Sequence, residues 1–259
     1  MLLDTIKQFA AEGRSFFTAA DLQPLTGSSF DALRLALGRL RKKGEIAMPQ
    51  RGFYVILRPE YRSLGCLPAE QFIPDLMAHL GARYYVGLLS AAEYHGAAHH
   101  RPQVFQVIVT APRRSILCGR IKVDFAVRKN LSDIPVQSRN TPTGMICYST
   151  AEATAIDMVG YVKQCGGFDN VATVLSELAE KMKADKLLEV ARLSPISYLQ
   201  RLGYLLELVG AEELAQPLAE HIDALNPVRV ALLPSQGNSG GEFDTRWRLY
   251  INTSVEVDA

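Results

Sequence analysis

No run of apolar residues in this 259-residue chain approaches the roughly 20 that a membrane helix needs, so no membrane association is expected. The N-terminal stretch, MLLDTIKQFAAEG, has an acid at position 4. It lacks both the charged n-region and the small-residue cleavage site of a signal peptide. Cysteine is scarce: Cys66, Cys118, Cys147 and Cys165 lie far apart, and no C-x-x-C pair occurs. That spacing argues against a disulfide framework or a structural zinc site, and for a reducing cytoplasm. Catalytic signatures are missing too. There is no evident Cys–His pairing. The glycine-rich stretch at 237–241 lacks the Lys-Ser/Thr that a P-loop uses to hold phosphate and Mg²⁺, so it reads as a surface loop. No internal repeat appears, and no cofactor is implied.

A large excess of one charge is also absent, since the formal net charge is only +1. The distribution is uneven, however. Residues 1–62 carry 10 Lys and Arg against 6 Asp and Glu, whereas residues 63–259 carry 18 against 21. The basic excess coincides with a recognisable pattern. Residues 1–12 have apolar residues at helical spacing and stop at Gly13. Phe16-Phe17 fits a brief strand pairing with a later wing. Thr18, with Asp21 three residues on, resembles a capping box for a short helix from Ala19 to about Gln23, ended by Pro24. After Leu25-Thr26-Gly27, either Ser28 or Ser29 can N-cap a longer helix. Its packing stripe is Phe30, Leu33, Leu37 and Leu40, with cations off the stripe, and Gly44 ends it. Glu45 to Met48, a turn at Pro49-Gln50-Arg51-Gly52 and the run Phe53 to Leu57 complete a winged helix-turn-helix. In such a unit the helix after the turn enters the major groove. Ser28, Ser29 and Arg34 lie early, within reach of base edges. Arg39, Arg41 and Lys42 lie late and suit phosphates, and Arg51 stands at the wing tip. The plainer alternative is a solvated helix face whose late cations offset the helix dipole; the preceding helix-turn and the following wing favour DNA.

Prolines and a glycine across 58–68 suggest a domain boundary, dividing the chain into 1–62, the DNA-binding domain, and 63–259. The second part begins with a helical stretch from Ala69 to Leu80 interrupted by Pro74. Tyr84-Tyr85-Val86 follows, then a helix from Leu88 to His95 with Gly96 at its C-cap. A strand is expected at Val104–Val109 and a hairpin from Ile116 to Val127 through Cys118-Gly119-Arg120. Alternation from Ile121 to Val127 predicts one buried and one wet face. Further strands fit Val136–Arg139 and Gly144–Tyr148. Ser149 and Glu152 form a capping-box pattern for a helix to about Gln164. From Phe168 to Leu225 the pattern is helical with breaks near Ala184, Ser194-Pro195 and Gly210, and short strands close the chain. Strands followed by helices indicate an α+β class: a winged helix-turn-helix, then a larger domain with a small mixed sheet and a helical segment.

Three groups invite chemistry. His95, His99 and His100 lack the H-E-x-x-H order and any further ligand, so no metal site is expected. Asp124, with Lys122 two residues back, fits a solvated strand better than a nuclease centre. Arg113-Arg114 is ordinarily a solvated pair; on the DNA side of the fold it would add phosphate contacts. No catalytic residue is expected.

Several segments together resemble the AbiE-type antitoxins, the AbiEi transcriptional-regulator half of type IV toxin–antitoxin (abortive infection) systems. They are the winged helix, the segment from Tyr85 to Gly96 (YVGLLSAAEYHG), Tyr148-Ser149-Thr150-Ala151-Glu152 with Asp157, Gln200 to Glu207 (QRLGYLLE), and Trp247 to Asn252 (WRLYIN). The resemblance implies a repressor that binds inverted repeats upstream of its own operon, an activity tied to phage defence. It also implies an antitoxin domain opposing a nucleotidyltransferase-like toxin without a stable complex. A different class remains open: a one-component regulator whose second domain senses a small molecule, with Tyr84, Tyr85, Phe105 and Phe125 lining a pocket. Leu202, Leu205, Leu206 and Val209 read as a core stripe rather than a docking face.

Overall fold

The computed structural model describes residues 2–97, 102–237 and 241–257. It is α+β and divides into two compact units. The first comprises residues 1–85, 103–129 and 138–147, and the second residues 86–102, 130–137 and 148–259.

The first unit opens with α1 (Leu2–Ala11), β1 (Phe16–Thr18), α2 (Ala19–Thr26), α3 (Phe30–Lys42), β2 (Ile46–Gln50) and β3 (Phe53–Ile56). The three strands make a sheet in the order β1-β3-β2, with β1 and β2 both antiparallel to β3. This is the expected winged helix-turn-helix. Its small core joins Ile6 and Phe9 of α1, Leu22 of α2, Leu33, Leu37 and Leu40 of α3, and Phe17, Ile46 and Tyr54 of the sheet. Thr18 caps α2, and the reciprocal Asp21 bond closes the capping box. Pro24 does not end α2, which continues to Thr26 and stops at left-handed Gly27. Pro49 and Gln50 belong to β2 rather than to the turn, leaving Arg51-Gly52 as a two-residue connection. Proline cannot donate to a ladder, and the register of β2 shifts where Pro49 sits.

The chain then passes to α4 (Ala69–His79), which runs through Pro74 without interruption. Losing one backbone bond at a mid-helix proline costs about 3 kcal/mol. Burial of Phe72, Ile73, Leu76 and Met77, each worth roughly 1.5–3 kcal/mol, outweighs that loss. Next come β4 (Tyr84–Val86), α5 (Leu88–Tyr94), β5 (Phe105–Val109), β6 (Ile116–Cys118), β7 (Ile121–Val127), β8 (Val136–Thr141) and β9 (Gly144–Ser149). The strands form one six-stranded mixed sheet in the order β6-β7-β5-β4-β9-β8. β5 lies parallel to β7, and β6 is antiparallel to β7. Lys122 and Asp124 pair at 3.6 Å on the wetter face of β7, although Ala126 on that face is buried. A second core in this unit joins Phe53, Val55 and Leu57 to Phe72, Ile73, Leu76, Val107 and Val123. The boundary expected at residue 62 falls inside this unit.

The second unit contains α5 and then α6 (Ala151–Gly160), α7 (Phe168–Leu178), α8 (Ala184–Ala191), α9 (Ile196–Leu208) and α10 (Glu212–Leu225). Strands β10 (Val230–Ala231), β11 (Glu242–Asp244) and β12 (Leu249–Ile251) form a sheet in the order β10-β12-β11. Thr150, not Ser149, caps α6, because the Ser149 hydroxyl is taken up by Thr154 at 2.6 Å. Glu152 accepts instead from the Lys183 backbone N–H at 3.0 Å. The helix ends at Gly160, short of the expected Gln164. His95 follows α5, and its Nε2 donates to the Ser149 carbonyl at 2.8 Å, which fixes the tautomer because a carbonyl only accepts.

The segment from Gln200 to Glu207 has a structural explanation in α9. Gln200 Nε2 donates to the carbonyls of Val228, Trp247 and Arg248. The Arg201 guanidinium is buried and donates to Ala231, Leu232 and Ser197 carbonyls. Gly203 leaves the space that the fully buried Trp247 ring fills. Glu207 accepts from the Trp247 indole N–H and pairs with Arg246 at 2.6 Å. Leu202, Leu205 and Leu206 are buried as a core stripe, whereas Val209, expected to extend it, is the C-cap of α9 and only half-buried. No helix among the described residues is long and apolar enough to cross a membrane.

Candidate nucleic-acid interface

The candidate site is built on α3. Its first turn is fixed by Ser29, whose Oγ accepts from the Ala32 N–H at 3.3 Å. Ser28 sits one residue earlier, its N–H donating to Thr26 Oγ1 at 3.4 Å, so only Ser29 is the cap. At the other end the Gly44 N–H donates to Arg41 O at 3.0 Å and the Glu45 N–H to Leu40 O at 3.1 Å. This Schellman arrangement needs left-handed backbone at Gly44, where φ is 68°. It leads the chain directly into the wing.

Between those ends Leu33, Leu37 and Leu40 face the small core, and the cations face away. Arg34 is exposed and meets Asp31 at 3.3 Å, a solvated pair one turn apart. Such a pair holds its partners loosely, so it leaves the guanidinium available. Arg39, Arg41 and Lys42 are all exposed in the last turn. Arg41 approaches Met48 Sδ of the wing at 4.0 Å. Arg51 is exposed at the hairpin tip between β2 and β3. One element and its wing thus carry all seven candidate residues. Arg113 is half-buried, its Nε without a hydrogen-bond partner, while Arg114 is exposed.

Phe30 departs from the expected stripe. It is 56 % exposed, because it stands in the first turn, beyond the reach of the small core. Leu35, on the outward face of α3, is 62 % exposed. Both add apolar surface among the cations, the kind of group that contacts thymine methyls in a major groove. The signal was available for Leu35, which lies off the Leu33-Leu37-Leu40 stripe. For Phe30 the three-residue spacing to Leu33 points the other way.

The other groups considered for chemistry are accounted for by packing or lie outside the description. Tyr85 is fully buried, and Tyr84, Phe105 and Phe125 pack against the second core of the first unit. His99, His100 and most of the 237–241 loop lie outside the described residues. No group of three or more His, Cys, Asp and Glu suited to a metal ion occurs among the described residues.

Two family models match the chain. One, described as a transcriptional regulator, AbiEi antitoxin, covers residues 4–56. The other, the AbiEi antitoxin C-terminal domain, covers residues 85–208. Among solved structures the fold is similar to the crystal structure of the RV2827C protein from Mycobacterium tuberculosis, with a TM-score of 0.66 at 17 % identity. That similarity covers 95 % of this chain and 89 % of the other. No curated protein matches the sequence at a significant level.

Proposed function

The chain belongs to the AbiEi antitoxin family of transcriptional regulators, and from that premise we propose that it is a cytoplasmic autorepressor and type IV antitoxin. In this reading residues 1–62 bind inverted repeats upstream of its own operon. Residues 63–259 oppose a nucleotidyltransferase-like toxin encoded beside it, without forming a stable complex with it. The reading includes no catalytic step and no metal.

The observation that carries it is the exposure of Arg34, Arg39, Arg41 and Lys42 on a helix whose opposite side is locked into its own core. Ser28, Ser29 and Arg34 would read base edges, with Phe30 and Leu35 against thymine methyls. Arg39, Arg41, Lys42 and Arg51 would neutralise phosphates. Four phosphates neutralised predict a fall in affinity of roughly 3.6 log units per log unit of salt.

The test is a mobility shift on the DNA upstream of the gene, with unrelated DNA as competitor. Arg34→Ala is expected to relax sequence preference, losing about 1–3 kcal/mol of discrimination. Lys42→Ala is expected to weaken all sequences alike and lower the salt slope by about 0.9. Parent-like binding by both variants would remove α3 as the reading helix. Antitoxicity is tested by co-expressing the full chain with the neighbouring gene. Growth rescue without co-elution on size exclusion is the expected result; a co-eluting complex would overturn the no-complex reading.

A further inference from the structure

The segment following the wing and the tight turn between β6 and β7 meet backbone to backbone. The Arg120 N–H donates to the Leu64 carbonyl at 2.7 Å. A Cβ on Gly119 would come within 2.8 Å of the Gly65 Cα, and both residues have left-handed backbone, with φ of 58° and 70°. Two glycines are therefore what lets the two segments touch. Each has a cysteine as its neighbour, Cys66 after Gly65 and Cys118 before Gly119, and the close approach sets the two thiols against each other.

The two sulfurs differ in access and ionisation. Cys66 is fully buried. Cys118 is half-buried and opens onto a groove of about 510 Å³ whose wall includes Arg41 and Lys42 from the end of α3 and Met48 from the wing. The Cys66 thiol, the backbone at Met48 and the Arg41 charge stabilise the Cys118 thiolate, lowering its pKa to about 7 against the effect of burial. The interaction with Cys118 and burial push the Cys66 thiol up. A partly exposed thiolate with a buried thiol behind it is the arrangement of an attacking and a resolving cysteine.

We propose that Cys118 and Cys66 are a peroxide-oxidisable thiol pair at the foot of the DNA-reading helix. The Cys118 thiolate attacks a hydroperoxide oxygen. An S–O bond forms, the O–O bond breaks, and with hydrogen peroxide the departing hydroxide takes up a proton and leaves as water. The Cys66 sulfur then attacks the sulfenic sulfur of Cys118. An S–S bond forms, the S–O bond breaks, and a second water carries away the Cys66 proton. Two thiols lose two electrons in all, and one peroxide becomes two waters. Oxidation also removes a negative charge from beside Arg41. In the DNA-binding reading, on which this consequence alone rests, the oxidised protein holds operator DNA about two- to threefold more tightly.

The test treats the full-length protein with hydrogen peroxide at pH 8 and measures intact mass and free thiols. Expected are a loss of 2 Da, two thiols consumed, and a Cys66–Cys118 disulfide on peptide mapping. Cys118→Ser is expected to abolish the reaction. Cys66→Ser is expected to stop it at a sulfenic acid on Cys118 that dimedone traps. Equal reactivity of all four cysteines, or oxidation of Cys118 that never proceeds to the disulfide, would overturn the pair. Mobility shifts before and after peroxide test the consequence. Binding that oxidation leaves unchanged would overturn the coupling to α3. Reduced protein that fails to bind operator at all would sink the DNA reading, while the mass measurement still decides the thiol chemistry.

Discussion

Gly203 shows how one missing side chain organises a large part of the second unit. Its position in mid-helix costs α9 some helical propensity relative to alanine. In exchange the Trp247 ring lies where a Cβ would stand, and its N–H reaches Glu207 one turn further along. Gly203→Ala forces that ring to move and should destabilise the protein by about 1–3 kcal/mol. Urea unfolding would measure the loss, and the emission of Trp247, the one tryptophan of the chain, should shift to the red. At this scale the sequence was legible where periodicity governs and silent where distant residues meet. Leu202, Leu205 and Leu206 were readable as core. Cys66 and Cys118 were not readable as neighbours, because nothing local encodes a contact made by the glycines beside them. Phe30 misled for a different reason: helical spacing says which way a side chain points, not whether the core extends that far.

Elements were more legible than their ends. The capping box at Thr18 and Asp21 announced α2, since both residues act within one turn of the backbone they satisfy. Thr18→Ala should cost about 1 kcal/mol, visible as a lower melting temperature on circular dichroism, and Thr18→Ser should recover most of it. Pro24, Pro49 and Pro74 were all expected to terminate or turn their segments, yet each lies within a helix or strand. The cost of a proline is local and bounded, and burial of neighbouring side chains exceeds it. The link from α5 to β9 carries a pH dependence. Burial holds the His95 imidazole below its ordinary pKa of 6.5, although the Ser149 carbonyl and Glu152 pull the other way. The folded state therefore favours neutral His95. The stability this supplies is present above pH 6.5 and is lost as pH falls through the lowered value. Melting followed from pH 7.5 to pH 5 should show that loss, and His95→Gln should flatten that part of the profile.

For the whole molecule, class and order of elements followed from the sequence, because a winged helix-turn-helix is made of contacts close along the chain. The grouping of those elements did not follow. Phe53, Val55 and Leu57 share a core with α4 and the β5 and β7 strands, and only the three-dimensional path brings them together. The candidate interface was likewise readable as a set of residues on α3 and the wing, but not the surface that adjoins it. If operator DNA binds the native state alone, DNA at 100 times its Kd should add about 2.7 kcal/mol of stability. A thermal shift that appears with operator DNA, fades at high salt and is absent with unrelated DNA is the expected result.

The bonds that Gln200 and Arg201 make to residues 228–248 also set an order of events during synthesis. The core around α3 needs nothing beyond Ile56, so it can form while the rest of the chain is still being translated. The second unit must wait for Trp247 before the gap at Gly203 is filled. A ribosome that stops after α10 releases a chain with its helix-turn-helix intact and Arg201 without its Ala231 and Leu232 carbonyl acceptors. Quality-control proteases would meet that half-finished unit first, so intact second units mark chains that were translated past Trp247.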